Sequence, residues 1–155
     1  MNIYDNVAFG LRRKGISEDE IFSIVGQSLY NVGLAGSGGL LPSDLSGGMQ
    51  KRAALARSIA VKPQIMIYDE PTTGVDPITG GAVDRLIKEM KNIYGITSIV
   101  VTHDMKSAYR IADRIAMLYE GSIIETGKPD EIKNSSNPYV RQFIEGTTHG
   151  PIKVI

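Results

Sequence analysis

The sequence contains no cysteine, which excludes disulfide bonds and thiolate metal sites and is consistent with a reducing compartment. It also has no excess of charge of either sign, because 17 Lys and Arg residues balance 17 Asp and Glu residues and the formal net charge is +0. A chain without a global positive field has no general attraction for nucleic acid. We therefore expect no nucleic-acid partner.

Long hydrophobic runs are also missing. The most apolar stretches, such as residues 96–101, are far shorter than the roughly 20 residues that a membrane-spanning helix needs. The first ten residues have no basic region followed by an apolar core, so we expect no signal peptide. Any connection to a membrane is then expected to be made through a partner protein.

What is present is the composition of one ordinary globular domain: 155 residues, 42% hydrophobic and 22% charged. The first part has the periodicity of helices, since apolar residues recur every three or four positions in three stretches, residues 2–13, 17–32 and 46–62. The second stretch begins with Ser17 and Glu20, a capping-box pattern. We predict a helical subdomain over residues 1–60.

From residue 61 onward the pattern changes to alternating strands and helices. Residues 65–68 and 97–101 are short apolar runs typical of buried strands, and Asp76 before Pro77 is typical of the start of a helix between them. Alternation of this kind favours an α/β fold with a mainly parallel sheet and crossover helices.

The last third predicts a hairpin followed by helices. Residues 114–119 and 122–125 flank Glu120-Gly121, a turn signal, and helical residues follow at 129–133 and 138–144. The predicted core portion covers residues 61–145. Residues 146–155 have no periodicity and are predicted to form an extended C-terminal arm.

The first segment that is suited to bind a ligand lies at the start of the predicted third helix. Small residues at a helix N-terminus let backbone N–H groups approach an anion, and the helix dipole adds to the attraction. Ser46 adds a hydroxyl group. An ordinary serine cap before a helix is the alternative interpretation. The segment reads Leu45, Ser46, Gly47, Gly48, Met49 and Gln50.

The second feature is a pair of acids, Asp69 and Glu70, at the end of the predicted strand 65–68. The carboxyl ends of parallel strands are where α/β sheets bind ligands. Asp69 is suited to hold Mg²⁺, because hard cations take oxygen ligands, and Glu70 is suited to act as a general base. The alternative is a solvated acidic turn. His103 ends the second strand, level with Glu70 if the strands are adjacent. It either contacts a terminal phosphate or the attacking water, or it is a satisfied polar group.

Taken together, these features resemble the ATP-binding-cassette (ABC) ATPases, a family of P-loop NTPases. The resemblance covers nearly the whole chain. Residues 45–50 resemble the family signature, residues 65–70 the Walker B strand, residues 73–76 the D-loop, and His103 the switch histidine. The resemblance implies that Asp69 serves Mg²⁺, that Glu70 is the catalytic carboxylate, and that His103 senses the γ-phosphate of ATP. It also implies a dimer in which residues 46–50 and the D-loop, with Asp76, meet a nucleotide held by a second ATPase subunit. The helical subdomain would dock onto a transmembrane permease.

Two departures from the family pattern matter. Met49 stands at the fifth signature position, where glutamine is common, and Gln50 follows it. In addition, no Gly-x-x-x-x-Gly-Lys-Ser/Thr loop is present: the one Gly-Lys pair, Gly127-Lys128, precedes Pro129. We expect the segment with this Walker A loop to precede Met1 in the complete protein, and we expect the chain alone to be inactive.

Within the family, residues 2–8, 49–57 and 69–79, together with residues 137–151, look like the ATPases of bacterial Mce/Mla-type lipid transport systems. This likeness implies a peripheral ATPase at the cytoplasmic face of the bacterial inner membrane that drives phospholipid transport. Two alternatives stay open: an ATPase of another ABC importer, and a truncated, non-hydrolytic module that binds a transporter partner.

Overall fold

In a computed structural model, residues 1–153 are described, and the chain divides into two compact units between Val101 and Thr102. The predicted boundaries at residues 60/61 and 145/146 follow a different criterion and stay predictions. No helix among the described residues is long and apolar enough to cross a membrane.

The first unit begins with three helices, α1 (Ile3–Arg13), α2 (Glu18–Asn31) and α3 (Gly47–Ala60). A 3₁₀ turn (Pro42–Asp44) precedes α3. The predicted cap at Ser17 forms, since its side chain accepts the N–H of Glu20, and the structure adds a cap at Asn2, whose side chain accepts the N–H of Asp5. Because a side-chain oxygen satisfies an otherwise unpaired N–H at each start, the helix bounds lie within a residue or two of those predicted.

These helices pack through one apolar face each. The buried residues recur at helical spacing and form a common core, which comprises Ile3, Val7, Leu11, Ile21, Val25, Leu29, Ala53, Ala56 and Ile59. The same core includes Met66, Met90 and Ile96 from the elements that follow. The helical first part is therefore continuous with the strand that carries the acidic pair.

Two parallel strands complete the first unit. Strand β1 (Ile65–Asp69) pairs with β2 (Thr97–Val101), with Ile65 opposite Thr97 and Asp69 opposite Val101. Helix α4 (Pro77–Tyr94) makes the crossover. It begins at the Asp76 cap and ends at Gly95, whose φ of 64° only glycine adopts readily. The predicted α/β order and parallel pairing are confirmed.

The prediction that both strands are buried is wrong for one face of this pair. Met66 points into the core, but four apolar residues are half or more exposed: Ile65 (60%), Ile67 (68%), Ile99 (51%) and Val101 (52%). Successive strand residues point to opposite faces, and only the face with Met66 packs against helices among the described residues. We call these four residues the exposed sheet face.

The second unit contains α5 (Met105–Ile111), the hairpin of β3 (Ile115–Tyr119) and β4 (Ser122–Gly127), α6 (Pro129–Lys133) and α7 (Pro138–Glu145). Glu120 and Gly121 form the turn with φ values of 45° and 78°, as the sequence predicts. The predicted hairpin and helices are confirmed.

The described part of the tail turns back on α7. The Gln142 side chain donates to the carbonyl oxygens of Thr147 (3.3 Å) and Ile152 (3.0 Å), and its oxygen accepts the N–H of Ile152 (2.7 Å). These bonds hold residues 147–152 beside the helix, so this part is not extended. Residues 154 and 155 of the predicted arm lie outside the described residues.

Candidate functional site

The signature segment (residues 45–50) forms the start of α3, where Ser46 and Gly47 are exposed and Leu45 is buried. Ser46 is extended, with φ of −63° and ψ of 160°, and its hydroxyl accepts the N–H of Met49 at 3.3 Å. The helix-cap interpretation therefore holds for this hydroxyl. Gly47 and Gly48 occupy the first two helical positions, where N–H groups have no acceptor within the helix. Those two N–H groups are what this helix end can offer to an anion.

The next two residues of the segment serve the fold. Gln50 donates from its side-chain nitrogen to the carbonyl oxygens of Pro42 (2.9 Å) and Leu45 (3.2 Å), which ties the 3₁₀ turn to α3. Met49 is half-buried and packs against the apolar core. Sequence reasoning missed these contacts, because they depend on the path of the loop before the helix. The nucleotide contacts of both residues stay predictions.

The signature segment also lies against the start of α4. A Cβ atom on Gly48 would stand 2.5 Å from Cγ2 of Thr79, and one on Gly47 would stand 3.9 Å from Cγ1 of Val75. The structure thus brings two sequence-predicted features together, the signature and the D-loop (residues 73–76). Thr79 was not among the predicted site residues.

The acidic pair lies where the parallel strands end. Asp69 is the last residue of β1 and is exposed, and the N–H of Glu70 donates to the carbonyl oxygen of Val101 at 2.9 Å. Glu70 has a φ of 46°, a left-handed conformation that costs a non-glycine residue on the order of 1–3 kcal/mol. The chain therefore turns sharply at Glu70, and the two acids stand at the sheet edge that binds ligands in α/β folds.

Glu70 is held from within its own turn. The hydroxyl of Thr73 donates to Oε2 of Glu70 at 2.9 Å, and the N–H of Thr73 donates to the Glu70 carbonyl oxygen at 3.2 Å. The Glu70 carboxylate is thus oriented by its own turn, and its catalytic role stays a prediction. The signal available in the sequence was a hydroxyl residue three positions after the acid.

Asp76, the last residue of the D-loop, is the cap of α4. Its carboxylate accepts the N–H groups of Ile78 (2.9 Å) and Thr79 (3.0 Å) and the Thr79 hydroxyl (2.5 Å). These bonds favour the charged form and lower the pKa of Asp76, with the Thr79 hydroxyl as the largest cause. The negative charge of Asp76 therefore stabilises the start of α4.

His103 belongs to the second unit, directly before α5, and is exposed. Its neighbours are fixed locally: the N–H of Asp104 donates to the Thr102 hydroxyl at 3.0 Å, and Asp104 caps α5 through the N–H groups of Lys106 and Ser107. The predicted position of His103 level with Glu70 stays a prediction.

The donor set can be compared with what Mg²⁺ requires. Among residues 1–153, no cluster of three or more His, Asp or Glu side chains could hold a metal. Mg²⁺ in nucleotide sites needs no such cluster, since it is held by one or two carboxylates together with phosphates and waters. Exposed Asp69 fits that mode of binding.

A cavity of about 210 Å³ lies beside Asp69, between α3, β1 and α4. Apolar side chains dominate its lining, among them Leu55, Met66 and Val83, and Lys51 contributes an amine. Such a lining does not resemble a phosphate site, which is built from backbone N–H groups.

Comparison with known proteins gives a consistent result. Residues 25–73 match the ABC transporter family. Across 98% of its length the chain is 42% identical to the intermembrane phospholipid transport system ATP-binding protein MlaF of Escherichia coli K12, of which it covers 57%. It is 40% identical, over 99% of its length, to the chloroplastic protein TRIGALACTOSYLDIACYLGLYCEROL 3 of Arabidopsis thaliana, of which it covers 49%. It is 39% identical, over 98% of its length, to the probable ribonucleotide transport ATP-binding protein mkl of Mycobacterium leprae, of which it covers 44%. The chain thus spans about half the length of these relatives.

Proposed function

We propose that the chain is part of an ABC-type ATPase, and that the complete protein couples ATP binding and hydrolysis to membrane transport of phospholipid. The similarity to ABC transporter ATP-binding proteins supports the first part of this proposal. The observation that carries the activity is the acidic pair at the end of β1, with the Glu70 carboxylate held by Thr73. The cargo rests on the similarity to MlaF, whose name describes a phospholipid transport system.

In this proposal Glu70 is the general base. Its carboxylate accepts a proton from the water that attacks the terminal phosphate, and the Thr73 hydrogen bond keeps it oriented for that transfer. Asp69 would hold Mg²⁺, which neutralises the charge on phosphate oxygens when it is bound. His103 would contact the γ-phosphate.

The signature segment would act on a nucleotide held by a second ATPase subunit. The N–H groups of Gly47 and Gly48 point out of the start of α3, where the helix dipole favours an anion, and Ser46 is exposed beside them. The D-loop lies against the same helix end, so both segments would face the second subunit together. ATP is therefore proposed to bind between two copies.

The 155 residues by themselves are proposed not to turn over ATP. Gly127-Lys128 does not form a phosphate-binding loop, because Pro129 follows and the five-residue α6 begins there. Without the loop's backbone N–H groups and lysine, the main contacts to the β- and γ-phosphates are missing. As an isolated piece the chain would be a non-hydrolytic module.

The proposed partners are a transmembrane permease subunit and the second ATPase subunit, and the proposed location is the cytoplasmic face of the bacterial inner membrane. The helical subdomain would make the contact with the permease.

A different cargo is the second candidate, favoured by the similarity to mkl, whose name describes ribonucleotide transport. Purification of the complete protein with its membrane partner and identification of the co-purifying ligand separates the two candidates. Bound phospholipid supports the first, and bound nucleotide at a transport site supports the second.

The activity is tested by measuring Mg-ATP turnover of the complete protein and of the 155-residue chain. We expect turnover from the complete protein and none from the chain. Substantial turnover by the chain alone contradicts the proposed need for a separate phosphate loop.

A further inference from the structure

We infer that Thr79 is a positioning residue, which sets the distance between the signature helix and the D-loop within one subunit. The expected effect on kcat rests on the proposed ATPase function, whereas the contact itself does not. The positioning role arises from a contact between two segments that are 31 residues apart in the sequence, the start of α3 and the first turn of α4.

The first observation is a close approach at Gly48. A Cβ atom built there would lie 2.5 Å from Cγ2 of Thr79, a separation that real Cβ atoms do not show, whereas the Cβ and Oγ1 atoms of Thr79 would be 3.9 and 4.0 Å away. The Thr79 methyl group alone therefore fills the space above Gly48. In this fold the glycine is required by a neighbour in the same chain, apart from any contact with a nucleotide.

The second observation is that the Thr79 side chain is anchored on its other side. Its hydroxyl donates to Oδ2 of Asp76 at 2.5 Å, while its N–H donates to Oδ1 of the same carboxylate at 3.0 Å. Because a threonine carries its hydroxyl and methyl groups on one stiff Cβ, holding the hydroxyl also fixes where the methyl points. The Asp76 cap thus directs the methyl group onto Gly48.

The surrounding contacts extend the same arrangement. Gly80 is buried next to Thr79, and a Cβ there would lie 3.5 Å from Cβ of Thr72 and 3.8 Å from Cγ2 of Val75. Cγ1 of Val75 reaches toward Gly47. The D-loop, the first turn of α4 and the start of α3 are therefore packed as one body. A change in the D-loop would move the N–H groups of the signature segment.

Two substitutions test the hydroxyl group and the methyl group of Thr79 separately. Thr79→Ser keeps the hydroxyl bond to Asp76 and removes the methyl group, and Thr79→Val keeps a methyl group and removes the hydroxyl bond. In the complete protein we expect each to lower kcat about tenfold or more and to change KM less than about twofold, because a misplaced group acts on the reacting geometry more than on binding. Ile93→Ala, an exposed position near the other end of α4, is the control and should leave kcat unchanged.

The contact itself is tested by a double-mutant cycle read as Tm. Gly48→Ala should lower Tm clearly when residue 79 is threonine and much less when Thr79→Ser has removed Cγ2, because the nearest atom would then be at an ordinary distance. Equal Tm losses in both backgrounds overturn the contact, and wild-type kcat in both Thr79 variants overturns the positioning role. If the unsubstituted complete protein does not hydrolyse ATP, the proposed function fails, and the Tm cycle still decides the contact.

Discussion

The hydroxyl of Thr73 donates a 2.9 Å hydrogen bond to Oε2 of Glu70. Both residues belong to the sharp turn that follows β1, in which Glu70 has a φ of 46°. The bond therefore restricts a carboxylate whose backbone is already confined. A catalytic base benefits from this restriction, because proton transfer requires it to lie within hydrogen-bond reach of the attacking water.

Removal of that hydroxyl should impair catalysis without removing the base. We expect Thr73→Val in the complete protein to lower kcat about two- to tenfold, the range of one ordinary hydrogen bond. Steady-state ATP hydrolysis measures the effect. Thr97→Val, at the exposed start of β2, is the control. An unchanged kcat in Thr73→Val would show that the bond has no part in the reaction.

Glu70→Gln should abolish most of the turnover. The amide cannot accept the proton, and general-base catalysis contributes on the order of 10²–10⁴-fold. Nucleotide binding, measured as the shift of Tm with Mg-ATP, should persist, since the change leaves the phosphate contacts in place. Glu89→Gln on the exposed side of α4 is the matched control. Comparable loss in both variants would count against a specific role of Glu70.

The exposed sheet face should make the isolated 155-residue chain associate. Four apolar side chains on one side of the pair form a hydrophobic patch, and in the described part of the chain β1 and β2 pair only with each other, which leaves strand edges open. We expect Ile67→Thr combined with Ile99→Thr to reduce the concentration-dependent mass measured by light scattering. Ile78→Thr removes a side chain that is 87% exposed outside this face, and it should not reduce the mass. A monomeric chain at high concentration would contradict the prediction.

Asp76 should add a pH-dependent contribution to stability. Its hydrogen bonds lower its pKa in the folded state, so its contribution is complete above the unfolded pKa of about 3.9 and is lost as the pH falls through the lower folded value. Urea unfolding from pH 6 downward, compared between the natural chain and Asp76→Asn, measures this contribution. The difference between the two should be constant down to about pH 5 and then shrink. A difference that grows in acid would have the wrong sign.

Gln142 should protect residues 147–152 from hydrogen exchange and proteolysis. Its side chain bonds both the N–H and the carbonyl oxygen of Ile152, so it replaces the partners that a strand would supply. We expect Gln142→Leu to accelerate hydrogen exchange at the Ile152 amide and cleavage after residue 146 in limited proteolysis. Gln64→Leu is the same change at an exposed position of the first unit and serves as the control. Equal protection in both variants would exclude the role.

The elements that the sequence predicts best are those whose signals are local. Ser17, Asp76 and Asn137 each cap a helix through bonds to residues two or three positions later, so these starts are visible in the sequence. The turn at Glu120-Gly121 is equally local.

The features that could not be predicted are those set by residues far apart in the sequence. The approach of Thr79 to Gly48 joins segments 31 residues apart, and neither residue type indicates it. The exposure of Ile65 and Ile67 is missed for a related reason: an apolar run indicates a strand but not which of its faces a neighbour covers. The hydrogen bonds from the Gln50 side chain to the carbonyl oxygens of Pro42 and Leu45 are missed in the same way, because the sequence does not indicate the path of the loop before α3.

The parallel pairing of β1 with β2 also has a consequence for the order of events during synthesis. Ile65 cannot meet Thr97 until the whole of α4 has left the ribosome, because a parallel pair needs its crossover, whereas α1, α2 and α3 all precede β1 in the chain and pack directly against one another. We expect the three-helix part to become compact first and β1 to wait for its neighbour. During that interval Asp69 and Glu70 end a strand that has no partner, so the site is assembled late in the folding of the first unit.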